Sequence, residues 1–212
     1  MNYAEKLKSC PIHWALGGAD TSGGLEQNAI ELAAFCEWLE KNEVKTILEI
    51  GMAKGYLKKF LTECGYQVDG LNPHPVDGVT FLGNSQDERI IRQVGSYDLI
   101  FVDGDHNQVD ADFFAYKNKC RFLAFHDICG LRDCQAVAQL WDKVKGTFIH
   151  WEFIDSEHPG DSAGIGVLDL SQGIVKVSEF GTAVKTEINV DYTPENIQQP
   201  KSKRKYTKKS KS

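Results

Sequence analysis

The apolar positions of this chain switch repeatedly between a helical and a strand period. Between Leu25 and Leu39 they fall at 25, 29, 30, 32, 33, 36 and 39, one face of an amphipathic helix. Thr46 to Ile50 is then an apolar run too short for a helix and rich in strand formers. After Gly51 and Gly55 the helical spacing returns from Tyr56 to Cys64, with Leu57, Phe60 and Leu61 on one side. Strands are predicted from about Tyr66 to Leu71, closed by Asn72-Pro73, and from Val79 to Leu82, closed by Gly83-Asn84-Ser85. Tyr97 to Asp103 is an apolar strand that ends on a carboxylate, and Val109 to Tyr116 reads as a helix. Phe122 to Asp127 is another buried strand; a helix from about Asp133 to Val144 and strands over 148–154 and 164–168 follow. Strands alternating with helices predict an α/β domain on a mostly parallel sheet, over about residues 25–170.

Outside that block the periods fade. Residues 1–24, which include Pro11-Ile12-His13-Trp14 and a Gly-rich run from Gly17 to Gly24, are loop-rich. They are expected to form a lid over a cleft or a strap on the surface. Residues 171–193 alternate weakly and are expected to add an edge strand or an appendage, and 194–212 to be a disordered basic tail. The tail changes how the charge is read. Residues 201–212 hold seven of the 24 basic residues and no acid, so the net −6 conceals a body with 17 basic against 30 acidic residues, or −13. Such a body repels a polyanion. Only the tail suits nucleic acid or an anionic surface, and simple solubilisation is the blander reading.

Composition adds little else. At 42% hydrophobic and 25% charged the chain is ordinary globular material of one-domain size. No apolar run approaches the roughly 20 residues of a membrane span, and the first residues lack a signal peptide's apolar region, so a cytoplasmic location is expected. The six cysteines form no C-x-x-C pair, which favours reduced thiols over disulfides or zinc.

The candidate chemistry begins at Glu49-Ile50-Gly51-Met52-Ala53-Lys54-Gly55. A strand, a glycine turn and a helix start form a ligand cradle, because glycine permits close approach and the first helical N–H groups lack partners. Glu49, a carboxylate at the end of the strand, would repel a pyrophosphate and suits an ammonium or sulfonium group. The turn has neither the G-x-G-x-x-G of dinucleotide sites nor the closing Gly-Lys-Ser/Thr of a P-loop, and no Gly-x-Ser-x-Gly elbow marks a hydrolase. Further polar residues close other strands: Asn72, Asp103 and the pair His126-Asp127. Ligands of parallel sheets bind at those carboxyl ends. His106 follows Asp103 by three residues, and imidazole suits proton removal near neutral pH.

Leu48-Glu49-Ile50-Gly51, Phe101-Val102-Asp103-Gly104-Asp105-His106 and Phe125-His126-Asp127-Ile128 together resemble the small class I S-adenosylmethionine-dependent O-methyltransferases. The closest resemblance is to the branch with the cephalosporin-hydroxylase-like and macrolide-sugar O-methyltransferase proteins, over about residues 25–170. It implies a Rossmann-like fold with a mostly parallel seven-stranded sheet, an antiparallel C-terminal hairpin and helices on both faces. It implies S-adenosylmethionine held by Glu49, Gly51, Met52, Ala53, Gly55, Asn72, Asn84, Ser85 and Asp103, with Asn72 where such sheets carry an acid for the ribose. It implies His106 as general base, and Asp103, His126 and Asp127 as ligands of magnesium or manganese. Relatives mostly have an acid where this chain has His126, and imidazole is a poorer ligand for magnesium. The implied reaction is methyl transfer to a hydroxyl of a small molecule or sugar. The Asn-Pro-Pro-aromatic signature of transfer to nucleic-acid bases is absent after the fourth strand. A second class of function stays open: a non-catalytic cofactor-binding module docking on nucleic acid through its tail.

Overall fold

The structure, a computed structural model, describes residues 1–8, 25–131, 133–158, 160, 162–172, 175–177 and 183–185. The expected lid beyond residue 8 and the basic tail lie outside the described residues.

Seven strands form one sheet: β1 (Thr46–Ile50), β2 (Gln67–Asn72), β3 (Phe81–Leu82), β4 (Tyr97–Val102), β5 (Cys120–His126), β6 (Ile149–Phe153) and β7 (Ile165–Asp169). Their order is β3-β2-β1-β4-β5-β7-β6, parallel from β3 to β5 and antiparallel for β7 against both neighbours. This is the predicted Rossmann-like architecture with its C-terminal hairpin. The strands read as continuous apolar runs because both faces of the sheet are covered. Alternate residues serve two cores. Ile47, Leu99, Phe101, Phe122 and Ala124 meet helices α1 (Tyr3–Lys8), α2 (Ala29–Lys41) and α3 (Tyr56–Glu63). Leu48, Ile50, Ile100, Val102, Leu123 and Phe125 meet α4 (Glu88–Gln93), α5 (Val109–Tyr116) and α6 (Gln135–Val144).

Several boundaries differ from the sequence reading. The start of the chain is not wholly irregular: α1 buries Tyr3 and Leu7, one turn apart, against the α2 side, and the Tyr3 and Tyr66 hydroxyls lie 2.9 Å apart. Helix α2 starts at Ala29, because Asn28 caps it and accepts from the Ile30 and Glu31 N–H groups. β3 spans only Phe81–Leu82; Thr80 instead donates from its hydroxyl to Asp69 and from its N–H to the Gly70 carbonyl. Helix α4, too short for a periodic signal, was not predicted. Residues Val175–Val177 and Ala183–Lys185 pair as a separate two-stranded sheet, an appendage rather than an added edge strand.

Candidate active site

Register gathers the polar residues. Ile50 pairs with Leu71 and Val102, and Val102 with Phe125, so Gly51, Asn72, Asp103 and His126 come side by side at one edge. Side chains alternate along a strand, and Glu49, Asp103 and His126 each continue the row that faces α2 and α3. Three polar groups spaced over 78 residues of sequence therefore converge on one side of the edge.

The cradle is held by backbone demands. Gly51 has φ +86°, and a Cβ there would sit 2.1 Å from the Asp103 carbonyl oxygen. Its first constraint is thus the neighbouring strand, and its N–H donates to the Leu71 carbonyl (2.9 Å). Ala53 also has positive φ (45°), and Gly55, in left-handed conformation, precedes α3. The Met52 side chain is buried against Gly70, whose missing Cβ leaves room for the thioether sulfur. The Met52 N–H donates to Asn72 Oδ1 (3.1 Å), while Asn72 Nδ2 donates to the His74 carbonyl (2.8 Å). The amide at the end of β2 therefore clips two turns together. At the β3 end of the edge, Asn84 Oδ1 accepts from the Gln86 N–H, and the Ser85 carbonyl accepts from the Tyr116 hydroxyl. Nearby Asp112 is fully buried and accepts from Gln86 Nε2; burial pushes its carboxyl up, and its Oδ2 lacks a partner.

Beside the cradle, a small open cleft is bordered by Gln27, Glu49, Gly51, Ala53 and Asp103. Glu49 is 2% exposed; burial and then the Asp103 charge push its carboxyl up to about 8, against the Lys58 backbone N–H of α3. Among the described residues, five buried side-chain atoms lack a partner, and four of them belong to Gln27 (Oε1), Glu49 (Oε2), Asp112 (Oδ2) and His126 (Nε2), at or beside this edge. Native interiors seldom tolerate such atoms, and four of the five described fall at or beside this edge. Gln27, which the sequence did not single out, donates from Nε2 to Asp103 Oδ2 (3.1 Å).

On the other side of Asp103 the charged groups pair with one another, although His126 Nε2 lacks a partner. His126 Nδ1 lies 3.3 Å from Asp103 Oδ1 and 3.2 Å from Asp127 Oδ2. His106 Nε2 lies 3.1 Å from Asp127 Oδ2 and 3.9 Å from Asp103 Oδ1, and its Nδ1 is 3.3 Å from Cys134 Sγ. Asp127 has φ +63°, a costly backbone for a non-glycine residue, which aims its carboxylate into this group. Hydrogen bonds to Asp103 and Asp127 raise His106 to about 10. For His126, burial works downward but the two carboxylates outweigh it and hold its pKa well above the ordinary value. Burial favours the neutral acids, yet the histidines hold Asp103 and Asp127 low. Asp103, His126 and Asp127 bring one ligand atom each to within 4.8 Å of one another. Two oxygens with an imidazole nitrogen do not suit magnesium, which prefers an all-oxygen octahedron.

A buried network that sequence reading missed fixes the surroundings. Glu31, 1% exposed in the first turn of α2, accepts from the Ser162 hydroxyl, the Asp155 N–H (3.1 Å) and the Gly164 N–H (3.0 Å). Asn28 Nδ2 donates to Asp155 Oδ2 (3.2 Å), and His158 Nδ1 lies 3.1 Å from that same oxygen. The β6–β7 connection is thereby tied to the start of the helix that carries Gln27 in front of it. Asn28 and Glu31 stand at capping-box spacing, the one local signal that this helix end was special.

No protein-family model matches the chain, and no curated protein matches it. Solved structures do share its fold. A Klebsiella pneumoniae protein described as an O-methyltransferase aligns at 15% identity and TM-score 0.51, over 64% of this chain and 77% of its own. A Staphylococcus aureus protein described as a caffeoyl-CoA O-methyltransferase aligns at 18% identity and TM-score 0.50, over 65% and 82%. A methyltransferase of Podospora anserina, solved with S-adenosylhomocysteine, aligns at 14% identity and TM-score 0.51, over 68% and 79%. The chain has the Rossmann-like fold of these methyltransferases.

Proposed function

We propose that this protein is an S-adenosylmethionine-dependent methyltransferase acting on a hydroxyl of a small molecule or sugar. One observation carries the reading: two buried acceptors without partners, Glu49 Oε2 and Gln27 Oε1, border a cleft beside a glycine cradle. Unpartnered acceptors next to a carboxylate call for a cationic ligand that brings its own N–H donors, and the amino-acid end of S-adenosylmethionine is one. The cradle Gly51–Gly55 and Asn72 would hold the remainder, with Asn84 and Ser85 toward the adenine. Bound there, S-adenosylmethionine supplies an activated methyl group to an acceptor oxygen.

The protein's own residues then do three things. Glu49 and Gln27 fix the cationic end of the donor and keep water from it. Asp103, bonded to Gln27 on one side and to His126 on the other, links the donor cleft to the acceptor side. His106 takes the acceptor proton at Nε2. As the cluster stands, that nitrogen faces Asp127, and the pairing favours imidazolium; base action therefore requires the acceptor to loosen the pair. Most of the rate gain comes from orientation, since the methyl–sulfur bond that breaks already releases a neutral thioether, S-adenosylhomocysteine, as a good leaving group. Asp103, His126 and Asp127 are our candidates for a divalent ion of the manganese class, and no step above depends on it. Location in the cytoplasm is part of the proposal; no described helix is long and apolar enough to cross a membrane.

Calorimetric titration with S-adenosylhomocysteine tests the cofactor, and a screen of hydroxylated acceptors with labelled methyl donor tests the reaction. Failure to bind S-adenosylhomocysteine overturns the reading. Binding without transfer to any acceptor, together with tail-dependent binding of nucleic acid, favours the docking module instead.

A further inference from the structure

The polar cluster holds a donor set of which the proposed methyl transfer uses only His106. His106, Asp127 and Cys134 bring a ring nitrogen, a carboxylate oxygen and a thiol sulfur within 4.8 Å of one another, with sulfur and Nδ1 already 3.3 Å apart. Three bonds of about 2.0–2.3 Å from one centre leave tetrahedral ligand atoms roughly 3.3–3.8 Å apart. The trio needs only a small contraction to close on an ion. We infer that His106, Asp127 and Cys134 form a binding site for a thiophilic divalent cation of the zinc class.

The three ligands come from separately anchored places. His106 opens a short 3₁₀ turn, His106–Gln108, whose start is capped by Asp105 accepting from the Asn107 N–H (3.0 Å). Asp127 occupies its left-handed backbone at the end of β5, closed by the Gly130 N–H donating to its carbonyl (2.9 Å). Cys134 immediately precedes α6 and is 7% exposed. An imidazole, a thiolate and a carboxylate match zinc and its borderline neighbours and exclude the oxygen-loving ions. Around this trio His126 becomes an outer partner: its Nδ1 reaches Asp127 Oδ2 and is itself bonded to Asp103, which orients the ligating carboxylate as outer shells of metal sites do. The half-exposed His106 ring provides the way in. If the proposed methyl transfer holds, an ion here occupies the base, so zinc inhibits turnover; that consequence alone rests on the preceding proposal.

Cobalt substitution reads the site directly. The full-length, metal-stripped protein titrated with Co²⁺ is expected to bind one ion with a thiolate-to-cobalt charge-transfer band, and Zn²⁺ should displace it. In Cys134→Ser the band should vanish, although the five other cysteines remain, and Zn²⁺ affinity should fall by about 100-fold. Asp127→Asn should keep the band but weaken cobalt by about tenfold, which guards against a Cys134 variant that simply misfolds. No binding, binding without the band, or a band that survives Cys134→Ser overturns the inference. S-adenosylhomocysteine affinity measured on the same samples separates its fate from that of the methyltransferase reading.

Discussion

The two sides of Asp103 solve opposite problems. Toward β1 and β2, the cradle leaves acceptors unsatisfied: Glu49 is buried with an idle oxygen, and Gln27 with an idle carbonyl. Toward β5, two carboxylates and two imidazoles neutralise one another at 3.1–3.9 Å. The first arrangement is costly when empty and gains by taking a cation. The second is stable when empty, and whatever binds there must break existing pairs. If the proposed methyl transfer holds, the first is the donor side and the second the acceptor side, which opens only when engaged. The difference also predicts how each side fails: the cradle through folding and affinity, the cluster through turnover and metal.

The largest effect should come from the cradle backbone. Gly51→Val puts a branched side chain at φ +86° and into the Asp103 carbonyl. It should cost roughly 3 kcal/mol or more, seen as a lowered melting temperature or insoluble protein, with S-adenosylhomocysteine binding lost. A wild-type melt and wild-type binding in this variant would show that the two strands are not held as described.

On the cluster side, His106→Ala should lower turnover by about 10²–10⁴-fold while leaving S-adenosylhomocysteine affinity within about twofold. If affinity collapses equally, His106 belongs to the donor site and the contrast between the two sides is wrong.

Glu49 offers a pH test of the unsatisfied side. Its carboxyl rises from an ordinary 4.5 to about 8 on folding. Below about pH 4.5 the acid is neutral in both states and costs nothing. As pH rises toward 8 the unfolded chain ionises first, so folded stability is progressively lost, by roughly 4 kcal/mol. Glu49→Gln should remove this slope in urea titrations run from pH 5 to 8 and should weaken S-adenosylhomocysteine by about tenfold or more. An unchanged slope would mean that Glu49 is already paired.

The smallest effect is expected at the C-terminus. Deleting residues 201–212 should leave donor affinity and turnover unchanged within about twofold. If the tail docks on nucleic acid instead, the full-length chain should bind it with steep salt dependence, because each neutralised phosphate releases counterions.

The alternation of strands and helices was legible because each strand is buried on both faces, which forces apolar runs, and each long helix is buried on one, which forces its stripe. β1 matched the reading residue for residue, and the ends of β4 and β5 were found because carboxylates interrupt apolar runs there. Ends set by capping, as at Asn28 and at the shortened start of β3, and the six-residue helix α4 left no periodic trace.

The partners within the site belong to the tertiary structure. Gln27 meets Asp103 across 76 residues, and Glu31 meets Gly164 across 133. Cys134 is in sequence only one of six thiols without a C-x-x-C partner, and it becomes a neighbour of His106 when α6 docks beside the β4 turn. Sequence by itself determined which residues close the strands and hence the edge where ligands bind, because that depends on local period and on the charges that end each run. Which acceptors stay empty, which charges pair, and which face of Asp103 each neighbour takes depend on strand order and register. Those are settled by the burial of both sheet faces at once, and no local stretch of chain encodes them.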